Sequence, residues 1–145
     1  VVLKTSDGEV MVKELKRPGR AGGGGFYDYP AGGKKLLWPE LKGLFEKPDV
    51  EWSVQEIQDR LLYRQAIETA RCLAEGVLTS VHDANIGSIF GIGFPAWTGG
   101  AMQFIYGTGL EAFLKRADEL MAKYGTGFLV DEKVRDAVSN SKPTY

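Results

Sequence analysis

The sequence holds one histidine, His82, and one cysteine, Cys72. A general acid/base centre needs a group that titrates near neutrality, and among ordinary side chains only imidazole does so. Asp83 follows His82 directly, so on a helix the two point to different faces and make no dyad. His82 is therefore read as a surface residue in the first turn of a helix. Cys72 lies inside a long apolar pattern, where a small buried hydrophobe is the default and a nucleophile the exception. One Cys and one His also fall short of a zinc site without unusual carboxylate help. The expectation is a chain with no catalytic and no metal-ligating residue.

Two glycine-rich stretches raise different chemistry. Gly22 to Gly25 lack the spacing of a dinucleotide fingerprint, follow no strand and open no helix, so no cofactor-binding residue is assigned there. Arg17, Arg20, Lys34 and Lys35 flank the run. A phosphate would suit them, but a solvated basic rim is the simpler reading. The second stretch, "FGIGFPAWTGG", runs from Phe90 to Gly100. Pro95 holds Phe94 extended, Trp97 offers a large apolar anchor, and Gly99 and Gly100 at a helix start permit close backbone approach. A helix N-terminus also attracts anions, yet no Lys or Arg lies within the stretch, so packing is the preferred reading. Phe94, Pro95, Trp97, Gly99 and Gly100 are expected to form a packing interface, with Trp97 largely buried.

These residues must be positioned by helices. Ser53 with Glu56 makes a capping box, and Val54, Ile57, Leu61, Leu62, Ala66, Ile67, Ala70, Leu73 and Ala74 then recur at helical spacing until Gly76. Ser80 and Asp83 repeat the cap for a shorter helix ending at Gly91 or Gly93, and Thr98 is a candidate cap for the next. Over Gly109 to Tyr124, Leu110, Phe113, Leu114, Ala117, Leu120 and Met121 form one stripe opposite Glu111, Lys115, Arg116, Glu119 and Lys123, with Gly125 as the stop. Asp131 starts a last short helix through Val138. Before these, Glu9 to Lys16 makes about two turns that end at Pro18 and Gly19. "FYDY", Phe26 to Tyr29, reads as a short extended segment between turns. The two parts join near Pro48. The fold class is mainly α, a helical bundle with a Gly-rich irregular N-terminal segment.

At 145 residues the chain suffices for one domain, or one domain and part of another, but not for two full ones. Its 26% charged and 43% hydrophobic residues with net charge −1 argue for a globular protein and against a nucleic-acid partner. No apolar run reaches the ~20 residues that span a bilayer, and no signal-peptide pattern opens the chain, so a cytoplasmic protein is expected. Beginning at Val1 in an apolar run, the chain reads as a segment entered partway along.

The residues Arg60 to Ile105, "RLLYRQAIETARCLAEGVLTSVHDANIGSIFGIGFPAWTGGAMQFI", together with "GGGGFYDY", resemble the C-terminal region of the multifunctional fatty-acid oxidation alpha subunit. That enzyme joins enoyl-CoA hydratase to NAD-dependent 3-hydroxyacyl-CoA dehydrogenase. The resemblance implies a fold like the 3-hydroxyacyl-CoA dehydrogenase C-terminal domain. Residues 1–47 would end a first helical repeat and residues 48–145 would form a second. NAD and the His/Glu dyad would belong to an upstream Rossmann domain, leaving this segment without a cofactor. Implied partners are that Rossmann domain and first repeat, a second copy of the chain, and a thiolase subunit. The family's first repeat carries an Asn-Arg-Leu-Leu motif whose Asn lies near the substrate; the second repeat here reads Asp59-Arg60-Leu61-Leu62, with an acid in the position of that Asn. The rival expectation is a free-standing helical interaction module. The residues also hold a faint internal echo, Gly23-Gly24-Gly25-Phe26 against Gly125-Thr126-Gly127-Phe128.

Overall fold

The computed structural model describes residues 5–46, 49 and 51–141. The expected start at Val1 to Leu3 and the expected joint at Pro48 lie outside the described residues. The chain divides into two units, Val1–Glu51 and Trp52–Tyr145.

In the first unit, α1 spans Thr5–Lys13, earlier than the expected Glu9 to Lys16. Lys16 adopts the left-handed conformation (φ 56°), and its ammonium donates to the Lys13 carbonyl at 2.7 Å, so the helix stops before Pro18 is reached. A short 3₁₀ turn, Arg20–Gly22, leads into a two-stranded antiparallel hairpin. Strand β1 (Tyr27–Asp28) pairs with β2 (Leu36–Leu37) in the register Tyr27 to Leu37 and Asp28 to Leu36. The extended reading of "FYDY" therefore holds at its centre. Gly25 is required by close approach, since a Cβ there would lie 2.9 Å from the Gly19 Cα. Helix α2 (Leu41–Phe45) closes the unit, with Leu41 and Met11 buried.

The second unit is helical as expected: α3 (Val54–Ala74), α4 (Val81–Ile92), α5 (Ala101–Thr108), α6 (Leu110–Tyr124) and α7 (Glu132–Asn140). The Ser53 hydroxyl accepts from the Glu56 amide at 3.1 Å, Ser80 does the same for Asp83 at 3.0 Å, and Asp131 for Val134 at 2.9 Å. Each cap is a local bond that sequence spacing specifies. Helix α3 is the spine, packing on α4, α5 and α7. Its Tyr63, Ala66, Ile67 and Ala70 meet Ala101, Met102 and Ile105 of α5, Phe113, Ala117 and Leu120 of α6, and Val134 and Val138 of α7 in one core. Tyr63 stacks on Phe113 at 4.6 Å between centroids, and Phe104 meets both rings edge-on. Phe94 in turn meets Phe104 at 5.8 Å. Two residues of the expected α3 face differ: Val54 and Leu61 are exposed, because the first lies in the opening turn and the second points away from Tyr63 and Ile67.

Candidate functional site

The Phe94 to Gly100 turn links α4 to α5, and its geometry begins with two polar residues of α4. Ser88 is buried; its hydroxyl donates to the Asn85 carbonyl at 2.8 Å and accepts the Ala101 amide at 3.0 Å. The Asn85 carboxamide oxygen accepts the Gln103 amide at 3.0 Å. Side chains of α4 thus satisfy amides in the first turn of α5, which otherwise lack intrahelical partners. The Ala101 and Gln103 amides are therefore not available to an anion. Sequence reasoning missed Asn85 and Ser88, whose signal was two polar residues three apart in the otherwise apolar part of α4 from Ala84 to Ile92.

The expected packing residues divide. Phe94 is 2% exposed and its amide donates to the Ser88 carbonyl at 2.9 Å. Gly100 is buried with φ 111°, and a Cβ there would lie 2.5 Å from the Asn85 Cα, so α4 and the start of α5 press backbone to backbone. Pro95 is half-buried and Gly99 exposed. Trp97 is 82% exposed, which corrects the expectation of burial. The 3₁₀ turn Ala96–Thr98 lifts the indole off the core, while Phe94 takes the inner place. Thr98 is not the α5 cap either. Gly100 holds that position, and the Thr98 hydroxyl instead closes the turn, donating to Pro95 O at 2.7 Å and accepting the Gly100 amide at 3.1 Å.

The outer surface beside this turn carries exposed apolar side chains. From Ala84 to Leu110 the sequence holds no Asp, Glu, Lys or Arg. Phe90 is 85% exposed, and Ile86 and Ile92 are exposed as well. Ile86 and Phe90 are four apart and share one face of α4, with Gly87 and Gly91 beside them. Around neither glycine would a Cβ meet an atom within 4 Å, so the space beside the larger side chains is open.

Several titratable groups of the second unit are committed to structure. Arg116 donates to Glu56 at 2.8 Å, Asp59 at 2.8 Å and Glu119 at 3.0 Å. Glu56 also accepts from Lys123 at 2.7 Å and from the Tyr124 hydroxyl. These donors, Lys123 first, then Tyr124 and Arg116, hold the Glu56 carboxyl down to about 2, and the carboxylates in turn push the Arg116 pKa up. A carboxylate so paired is a poor proton carrier at neutral pH. Asp59, the acid of the Asp-Arg-Leu-Leu motif, also accepts from Gln55 at 2.7 Å, so it ties α3 to α6. Arg60 lies 4.3 Å from the Tyr124 ring and 5.0 Å from the Trp52 ring. Burial pushes the Tyr63 hydroxyl up to about 12. His82 is exposed, in keeping with a surface role, and Cys72 is a half-buried free thiol. Among the described residues no group of three or more His, Cys, Asp or Glu is gathered to hold a metal, and no helix is long and apolar enough to cross a membrane.

No family model matches the chain. It is similar to the fatty acid oxidation complex subunit alpha of Shewanella sp. strain MR-7, 35% identical over 118 residues that cover 77% of this chain and 17% of that protein. The subunit of the same name from Vibrio cholerae O395 is 35% identical over 121 residues, covering 83% of this chain and 17% of that one. That of Vibrio parahaemolyticus is 36% identical over 109 residues, 75% and 16%. The chain therefore spans about a sixth of the length of the curated relatives it matches.

Proposed function

We propose that this chain, homologous to one segment of the fatty acid oxidation complex alpha subunits, is the non-catalytic C-terminal helical part of a longer β-oxidation polypeptide. That polypeptide would oxidise 3-hydroxyacyl-CoA with NAD in the cytoplasm, its Rossmann domain carrying the cofactor and the acid/base dyad. The segment's work is to pack against its neighbours and hold the NAD and acyl-CoA cleft in shape. The carrying observation is the apolar outer face that α4 presents from Ile86 onward, together with the turn after it. Phe90 and Trp97 there are more than four-fifths exposed. Two large rings so placed, with open glycines beside them, are what a docking face presents before its partner arrives.

Residues 1–47 would end a first repeat and 48–145 form the second. One local likeness supports this. Arg17 of the first unit donates from Nε to the Gly25 carbonyl at 2.9 Å, and Arg64 of α3 donates to the Gly127 carbonyl. Gly25 and Gly127 are the matching positions of the two Gly-Phe turns, so each unit fastens its turn with an arginine. A second copy of the chain and a thiolase subunit remain further partners in this reading.

Activity separates this role from a catalytic one. With a 3-hydroxyacyl-CoA and NAD, the chain alone is expected to form no NADH, and turnover in the range of about 1–1,000 s⁻¹ would refute the non-catalytic reading.

A further inference from the structure

In the unit Val1–Glu51 an open concavity of about 590 Å³ is lined by Arg20, Gly23, Tyr29, Pro30, Gly32 and Lys35, among others, and no Asp or Glu lines it. Two tight turns contribute to its walls: the Gly23 amide donates to Arg20 O, and the Gly33 amide to Pro30 O, each at 3.1 Å. The four cations that flank the glycine run in sequence do not share one fate. Arg17 is consumed by structure, with Nε on the Gly25 carbonyl, Nη2 on the Asp28 carboxylate and its guanidinium 4.2 Å from the Trp38 ring centroid. Arg20 and Lys35 pair with no carboxylate among the described residues. Each rests on a ring instead, Arg20 at 5.7 Å from the Tyr29 centroid and Lys35 at 4.8 Å from that of Tyr27.

A ring face orients a cation through its quadrupole but does not neutralise it, and it leaves the edge N–H groups to donate elsewhere. Asp28, the one Asp or Glu between Arg20 and Lys35 in the sequence, is taken by Arg17. Lys34 adds a further positive charge next to Lys35 in sequence. The result is a concave, acid-free surface with two pre-oriented donors, one flanking each turn.

The geometry points to an anion site here for a phosphoryl group, with a diphosphate as the ligand that spans both Arg20 and Lys35. The diphosphate arrives either free or as part of a nucleotide, and Tyr29 offers a ring to a base in the second case.

The test is titration of the full chain with inorganic pyrophosphate, ADP and adenosine, read by amide chemical shifts. Pyrophosphate and ADP are expected to bind saturably, with shifts at residues 20–25 and 30–35, while adenosine gives none. Arg20→Gln and Lys35→Gln, which keep most of each stem, should each weaken binding at least about fivefold, and Lys115→Gln, which removes the same charge from the other unit, should not. Affinity should fall several-fold as salt rises from about 0.05 to 0.3 M. ADP held several-fold tighter than pyrophosphate identifies a nucleotide as the source, and equal affinity a free diphosphate. Absence of saturable pyrophosphate binding, an equal loss in Lys115→Gln, or adenosine binding as well as ADP overturns the site.

Discussion

Replacing Phe94 by Ala is expected to lower the unfolding free energy by about 3–5 kcal/mol, and replacing Trp97 by Ala in the isolated chain by less than about 0.5 kcal/mol. The two rings are three residues apart in one turn, and hydrophobicity alone ranks Trp97 first. Burial reverses the order, since Phe94 is 2% exposed and Trp97 82%. Phe94 meets Phe104 edge-on, and Phe104 meets Tyr63 and Phe113. Truncation at 94 leaves a void at the edge of this aromatic cluster, whereas truncation at 97 removes a ring that stands mostly in water. Urea denaturation of the two variants measures both numbers. Equal losses would mean that the indole belongs to this chain's own core.

Replacing Arg116 by Met is the second large effect, with an expected loss of about 2–3 kcal/mol. Removing one partner of a buried ion pair costs about 3–5 kcal/mol, and Arg116 keeps a side-chain exposure of 28%, so solvent screening reduces the figure. What remains unpaired matters most: the Glu56 and Asp59 side chains are 15% and 13% exposed. Glu56 also fixes the pH dependence. Its folded pKa of about 2 lies below the usual 4.5, so its contribution is fully present above pH 4.5 and is lost as pH falls toward 2. Part of that depression comes from Arg116. The stability lost between pH 4.5 and 2 should therefore be smaller in Arg116→Met than in the parent chain, as thermal melts across that range would record.

The helices of the second unit were legible because their signals are local. Ser53, Ser80 and Asp131 each cap an amide three residues on, and such spacing can be read along the chain. The ends of α1 were not, because its stop is a left-handed Lys16 rather than the proline and glycine that follow. Thr98 was misread as a cap for a related reason. The groups that satisfy the α5 amides sit on α4, Ser88 thirteen residues before Ala101 and Asn85 eighteen before Gln103. Arg116 looked like one more solvated charge on the polar stripe of α6. Its carboxylate partners Glu56 and Asp59 lie on α3, 60 and 57 residues away in sequence. Trp97 shows the same limit from the other side. Its size indicates that it seeks burial, but not whether this chain or another surface supplies it.

Packing on the rest of a longer polypeptide is the centre of the proposed function, and calorimetric titration of this chain into the separately expressed remainder tests it most directly. The surface on trial is Phe90 with Trp97, not Gly100, whose substitution would disturb the contact with Asn85 inside the chain. Saturable binding near or below about 1 μM is expected, with Phe90→Lys and Trp97→Lys each weakening it at least about tenfold, or 1.4 kcal/mol, and Lys115→Ala leaving it unchanged. No heat of binding, or binding that Phe90→Lys and Trp97→Lys leave intact, would contradict the account.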